Sequence, residues 1–326
     1  MKDLFITNYA EKTTYGITRC KLGKQGDISF NQLIETPGYV THMVVDSDDW
    51  YAVTKPDQNH SGGVLHYRNG QLQNYLEIKG MSFTHCCLDE KKDYLYAVSY
   101  HQNRLYSFQL GEEIKIISDI TLQGSSINPN RQVKSFPHYV GITPEQKYVY
   151  YVDLGADKIR FYTKEEGVLS FSWEVAIEPG FGPRQMIFST DGKYCYLVSE
   201  IANTVQVFEY QEKQLKLLQT VSTIPLSYNE VTHTAAIKLC NNMLYVSNRG
   251  HDSVAVYQVN NETGLLWFQH YIMTAKEPRD IEVKENLLVV ACQNSNVVEV
   301  FEIIDGEDTI KVDEYSIEKP VYLSIE

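Results

Sequence analysis

Seven residues recur at one place in a repeated pattern, and most of them are basic. They are His42, His85, His138, Arg184, His233, Arg279 and Tyr322. The first six precede an apolar anchor (Val53, Val98, Val152, Val198, Val246 or Val290) by 11, 13, 14, 14, 13 and 11 residues. Imidazole takes or gives a proton near neutral pH, and guanidinium presents a fork that fits carboxylate and phosphate. Both types are costly to bury without an anionic partner. Four of the nine histidines, with two arginines, at one repeat position therefore predict a shared pocket for an anion. The plain alternative for any one of them is a repeated structural bond, such as a histidine hydrogen-bonded to the backbone of a neighbouring unit.

A second set closes the next strand of each unit: Asn8, Lys55, Tyr100, Leu154, Glu200, Asn248–Arg249 and Gln293. Strand ends that feed short loops display side chains on a rigid scaffold. Glu200 is the one carboxylate in this set. Beside arginine and histidine it fits a general base or a positioning group, and it equally fits a turn residue that accepts backbone N–H groups.

The elements that must carry these residues are strands in a repeat. Seven copies can be read, among them WYAVTKPDQNHSGGVLHYR from Trp50, YVYYVDLGADKIRFYT from Tyr148 and MLYVSNRGHDSVAVYQV from Met243. Anchored on Ile6, Val53, Val98, Val152, Val198, Val246 and Val290, they are spaced by 47, 45, 54, 46, 48 and 44 residues. That period is the period of a β-propeller, about 40–50 residues per four-stranded blade. The fourth unit predicts strands at His138–Thr143, Tyr148–Asp153, Lys158–Thr163 and Leu169–Val175, separated by Pro-Glu-Gln, Gly-Ala-Asp and Glu-Glu-Gly turns. Thr190-Asp191-Gly192-Lys193 is a hairpin signal. No helical period persists. Lys319–Ile325 reads as the first strand of a unit, the strand missing from the unit that starts at Asp3. The expectation is an all-β, seven-bladed propeller over residues 1–326, one domain, closed by the C-terminal strand pairing with the N-terminal blade.

Composition narrows the partners. The 326 residues are 43% hydrophobic and 22% charged, ordinary for a globular chain, with a net charge of −13. That balance argues against a nucleic-acid or anionic-membrane surface, which needs a basic face. The N-terminal segment lacks the basic and apolar regions of a signal peptide, and no apolar run approaches the roughly 18 residues of a membrane span. A cytoplasmic location follows as the expectation, with Cys20, Cys86, Cys87, Cys195, Cys240 and Cys292 reduced. Adjacent Cys86 and Cys87 point to opposite faces of a strand as small hydrophobes. The arginines that share a repeat position with the histidines would repel a cation, so no metal is expected. Gly180-Phe181-Gly182 lacks the Lys-Ser/Thr of a phosphate loop, and Gly-x-Ser-x-Gly is absent. His251 and Asp252 read as turn residues that bond locally.

The words PHYVGITPEQKYVYYVDLGADKIRFY, PGFGPRQMIFSTDGKYCYLVSEIANTVQVFEY, VSNRGHDSVAVYQV and EPRDIEV make the whole chain resemble the lactonase β-propeller family, which contains bacterial 6-phosphogluconolactonases and fungal carboxymuconate cyclases. The resemblance implies a cleft lined by His138 of the P-H word, Arg184 of G-P-R, Glu200 closing the following strand, and Arg249 of S-N-R-G-H-D-S, as the catalytic set. His42, His85, His233 and Arg279 are then substrate-binding. Relatives carry two histidines in a P-H-x-H word; here the first falls on Phe136. The preferred activity is hydrolysis of a sugar-acid lactone, 6-phosphogluconolactone to 6-phosphogluconate in the pentose phosphate pathway. A cofactor-free muconate-type cyclase or lactonising isomerase, and a non-catalytic binding propeller, are the alternatives. Lactone hydrolysis builds negative charge on the carbonyl oxygen. One donor aimed there is worth about 10²–10³ in rate, and His138 or Glu200 as base about 10²–10⁴. No cofactor is expected. The partner is a small anionic sugar lactone, and the chain is expected to be a monomer or a weak homodimer.

Overall fold

The computed structural model describes residues 1–304 and 308–326. Among them lie 28 strands and a single 3-10 turn at Gln293–Ser295. The strands form seven four-stranded antiparallel sheets, each built from four strands consecutive in the chain except the one that joins the termini. This is the blade set of a seven-bladed β-propeller. The first strands of the sheets are Tyr39–Asp46, His85–Leu88, Pro137–Ile142, Pro183–Phe188, His233–Cys240, Pro278–Lys284 and Pro320–Ile325.

The chain divides into two compact units. One holds Pro37–Gly192 and Tyr210–Leu215, the other Met1–Thr36, Lys193–Glu209 and Lys216–Glu326.

In the unit around Pro37–Gly192 the sheets are glued through their faces. Leu95 and Ala97 of strand Tyr94–Ser99 join a core with Tyr51 and Val53 of the preceding sheet and with Phe83 of the connecting segment. Tyr96 and Val98, pointing the other way, join Val140, Val149 and Tyr151 of the following sheet. A strand that serves two cores must be apolar on both faces, which is why such segments run without alternation. The fourth sheet follows the expected strands closely, at Pro137–Ile142, Tyr148–Asp153, Lys158–Glu165 and Val168–Ala176. The Glu166-Gly167 turn has both φ values positive, 50° and 78°, as a two-residue hairpin of this twist requires.

The other unit repeats the arrangement. In strand Leu287–Cys292, residues Leu288, Val290 and Cys292 pack with Val254, Val256 and Ile281. Leu287, Val289 and Ala291 pack with Leu4, Ile6 and Leu323. The closing sheet runs in the order Pro320–Ile325, Lys2–Asn8, Gly16–Leu22, Ile28–Glu35, with Ile6 opposite Leu323 and Leu4 opposite Ile325. The pairing expected of the C-terminal strand is present. The Glu318 carboxylate adds a latch, accepting the backbone N–H groups of Glu11, Lys12 and Thr13 at 3.0–3.2 Å. All six cysteines are free thiols; Cys86 is buried and Cys87 half-buried.

The structure corrects one expectation. The basic residues share the first strand of their sheets but not one register. Val53 lies opposite His42 and Val98 opposite His85, whereas Val152 faces Tyr139, Val246 faces Ile237, Val290 faces Ile281 and Ile6 faces Leu323. Register shifts between Pro137 and Tyr139 and between Pro278 and Asp280 leave His138 and Arg279 in bulges. A bulge adds one residue and re-aims its side chain.

Candidate active site

Within the Pro37–Gly192 unit, His138 is set by a buried aspartate. The Asp153 carboxylate ends strand Tyr148–Asp153, fully enclosed. It accepts the Ser135 hydroxyl at 2.6 Å and the backbone N–H of Phe136 at 2.8 Å. It also accepts the N–H groups of Gly155 and Ala156, each at 3.1 Å. Burial pushes the Asp153 carboxyl up, and these donors pull against that. The 135–138 segment is thereby fixed to the turn at 154–156. Gly155 is required there, because a Cβ would collide with the Lys134 carbonyl and the Phe136 ring. His138 then meets the Tyr100 ring edge-on at 5.8 Å, and Tyr100 stacks on Phe136 at 4.7 Å.

His42 and His85 are brought together, ring on ring at 3.7 Å. His42 Nδ1 lies 3.4 Å from the Cys86 sulfur, and His85 Nδ1 accepts the Val140 N–H at 3.5 Å. The His85 bond to the next sheet's backbone is the structural alternative weighed from the sequence. Arg184 follows a tight turn in which Asp157 accepts the N–H groups of Gly180 and Gly182, each at 2.7 Å. Its side chain is buried on strand Pro183–Phe188.

Within the other unit, Glu200 and Arg249 form an ion pair at 3.1 Å, their side chains 7% and 10% exposed. Glu200 follows strand Tyr194–Ser199, in a turn where Ser199 Oγ accepts the Ala202 N–H at 2.7 Å. Arg249 ends strand Met243–Arg249 and donates to the carbonyls of His233 and Thr234 at 3.3 and 3.4 Å. Gly250 must be glycine, with φ 98° and the Val231 carbonyl where a Cβ would sit. His233 lies opposite Arg249 in the sheet.

Glu277 approaches Arg249 at 3.8 Å and escaped the sequence reading. Its signal was its place just before the Pro-Arg of EPRD. Asp252 holds it there by accepting the Glu277 N–H at 2.8 Å and the Gly250 N–H at 3.0 Å. His251 bonds locally to Ser253 at 2.6 Å, as expected of a turn residue. Arg279 is turned elsewhere, to Gln293 at 3.3 Å and over the Tyr9 ring at 5.7 Å.

A guanidinium shared by two carboxylates and two carbonyls is oriented before any ligand arrives. Such pairing leaves Arg249 a fixed donor beside the Glu200 carboxylate. Among the described residues, no group of three or more His, Cys, Asp or Glu is arranged to hold a metal ion, and no helix is long and apolar enough to cross a membrane.

The model of the seven-bladed β-propeller lactonase family matches residues 3–324. The chain belongs to this lactonase family. The chain is 33% identical over 316 residues to 6-phosphogluconolactonase of Bacillus subtilis, covering 91% of this chain and 90% of that protein. It is 32% identical to an uncharacterised protein of Staphylococcus aureus, covering 93% of each. A crystal structure from Lactobacillus plantarum matches with a TM-score of 0.93 at 25% identity, over 100% of both chains. The periplasmic gluconolactonase of Pseudomonas aeruginosa shares the fold of this chain, with a TM-score of 0.88 at 23% identity over 99% and 98% of the chains.

Proposed function

We propose that this lactonase-family chain hydrolyses a sugar-acid lactone, with 6-phosphogluconolactone as the preferred substrate. The observation that carries the reading is the buried Glu200–Arg249 pair. A binding scaffold has no need to enclose an arginine and a glutamate and to aim the arginine with backbone carbonyls. An enzyme that must meet a developing oxyanion does need a donor fixed in advance. The Bacillus subtilis relative, named for this reaction, supports the choice of substrate.

In this reading water adds to the lactone carbonyl, and its proton passes to a base. The carbonyl oxygen gains the negative charge and draws on an arginine donor, Arg249. Collapse re-forms the carbonyl, breaks the ring C–O bond and returns a proton to the leaving oxygen. In this reading Glu200 is the group that holds Arg249 in place. Arginine supplies the positive charge that a metal supplies in other hydrolases, so the reaction proceeds without a cofactor. We place the activity in the cytoplasm, at the lactone-opening step of the pentose phosphate pathway.

The test is a coupled assay with freshly generated 6-phosphogluconolactone, run beside unphosphorylated gluconolactone and a muconate. Turnover of the first above spontaneous hydrolysis supports the reading. Turnover of the muconate alone replaces it with a cyclase, and no turnover of any leaves a binding propeller.

A further inference from the structure

Three sheets are entered through the same turn. The residue before Pro183, Pro278 and Pro320, each the first of its strand, has a positive φ: 65° at Gly182, 63° at Glu277 and 46° at Lys319. Its N–H is accepted by an aspartate or asparagine whose φ is also positive: Asp157 at 2.7 Å, Asp252 at 2.8 Å and Asn296 at 3.0 Å respectively. The turn forms around a backbone N–H and needs no side chain, as Gly182 shows. Glycine adopts this backbone freely, whereas a Cβ is carried there at a cost. At 319 the side chain leaves for Glu11, at 2.6 Å. At 277 it brings a carboxylate to Arg249. A residue held in a costly backbone beside a buried cation points to a use for its side chain.

The two carboxylates on Arg249 are not equivalent. Glu200 meets Nη2 at 3.1 Å with its side chain 7% exposed, whereas Glu277 stands 3.8 Å from Nη1 with its side chain 28% exposed. Nε and Nη2 donate to the His233 and Thr234 carbonyls. The separation at Nη1 exceeds a hydrogen bond, and among the described residues Nη1 makes none. An oriented guanidinium thus keeps one pair of N–H donors unspent, with a carboxylate beside it that solvent reaches.

We infer that Glu277 is the general base of the lactone hydrolysis, while Glu200 holds the guanidinium. The inference rests on the lactonase reading for its reaction and adds the group that carries the proton. The lactone carbonyl oxygen takes an N–H of Nη1. A water molecule adds to the carbonyl carbon through its oxygen and gives one proton to the Glu277 carboxylate, while the carbonyl electron pair moves to the oxygen at Nη1. That pair then re-forms the carbonyl, the ring C–O bond breaks, and the protonated Glu277 returns its proton to the departing oxygen. One water is consumed, one hydroxy acid is formed, and Glu277 ends as it began. A base and an oxyanion donor must both reach one carbonyl group, and the 3.8 Å spacing of Oε1 and Nη1 places them side by side.

The test compares the wild type with Glu277→Gln and Glu277→Gly in the lactone assay, with and without added formate, and by thermal melting. Glutamine keeps the size and an acceptor but takes no proton. Glycine accepts the backbone that Gly182 already has, so the melting temperature of Glu277→Gly should equal or exceed that of the wild type. Both variants should lose about two orders of magnitude or more in kcat, with KM within about threefold of the wild type. Formate, a carboxylate small enough for the space left in Glu277→Gly, should restore rate there in proportion to its concentration, and should do so neither in the wild type nor in Glu277→Gln. A residue that merely steadies Arg249 would show neither the rescue nor the loss in the glutamine variant. Wild-type kcat in Glu277→Gln, a loss confined to KM, or a folded glycine variant that formate does not rescue overturns the inference. If the glycine variant does not fold, kcat of Glu277→Gln decides alone. A wild type no faster than spontaneous opening removes the lactonase reading and the inference with it, whereas fast turnover by the wild type and both variants removes the inference only.

Discussion

Arg249 reaches Glu200 at 3.1 Å with both side chains nearly closed to solvent, and the same guanidinium leans on the carbonyls of His233 and Thr234. Removing one partner of a buried pair leaves the other charge uncompensated, at about 3–5 kcal/mol. Arg249→Ala is therefore expected to lose stability as well as activity. Glu200→Gln keeps shape and an acceptor, and should retain the fold while lowering kcat by about two orders of magnitude. Thermal melting and steady-state rates on the same samples check this. A Glu200→Gln variant with full kcat would take Glu200 out of the reaction.

Arg184 sits buried on strand Pro183–Phe188, just after the Asp157-bound turn at Gly180 and Gly182. Arg184→Ala should raise KM or lower kcat by about two orders of magnitude without unfolding the protein. An unchanged kcat/KM with an unchanged circular dichroism spectrum would remove Arg184 from the site.

The closing strand is expected to be indispensable. Deletion of residues 320–326 strips the partner from Lys2–Asn8 and uncovers Leu4, Ile6 and the cavity left by Val321, Leu323 and Ile325. Three buried aliphatic side chains contribute about 1.5–3 kcal/mol each, which matches the whole stability of a typical domain. The truncated chain should fail to melt cooperatively. A cooperative transition at the full-length temperature would contradict the closure.

Acid should loosen the same sheet. Burial raises the Asp3 carboxyl, but its bonds to Arg19 at 2.5 Å and Lys21 at 2.6 Å outweigh that and hold it below the ordinary range. A carboxyl depressed in the folded state stabilises fully above its unfolded value and loses that contribution as pH falls through the folded one. The loss belongs below about pH 4. Asp3→Asn should cost up to about 1 kcal/mol at neutral pH, since both partners are part-exposed. It should also flatten the acid limb of the melting temperature; an identical limb would sever the link.

Chelation should leave turnover intact, because arginine donors carry the charge stabilisation in this mechanism. Activity lost in EDTA and restored by one divalent metal would require a different one.

The blade count, the closure and the strand-rich build could be read from the chain because their causes are local or periodic. Apolar runs such as Tyr148–Asp153 and hairpin turns such as Glu166-Gly167 repeat at a fixed period. The directions of His138 and Arg279 could not be read so, since a bulge is set by how two strands pair. Arg279, in the same kind of bulge as His138, reaches Gln293 and the Tyr9 ring. Glu277 was missed for a related reason: it lies in a loop whose path is fixed by a distant carboxylate, Asp252.

The most direct test measures production of 6-phosphogluconate from fresh 6-phosphogluconolactone, corrected for spontaneous opening, by the wild type and by Glu200→Gln and Arg184→Ala. Rapid wild-type turnover that falls about a hundredfold or more in each folded variant is the expected result. A wild-type rate equal to the spontaneous one, or variants as fast as the wild type, would contradict the account.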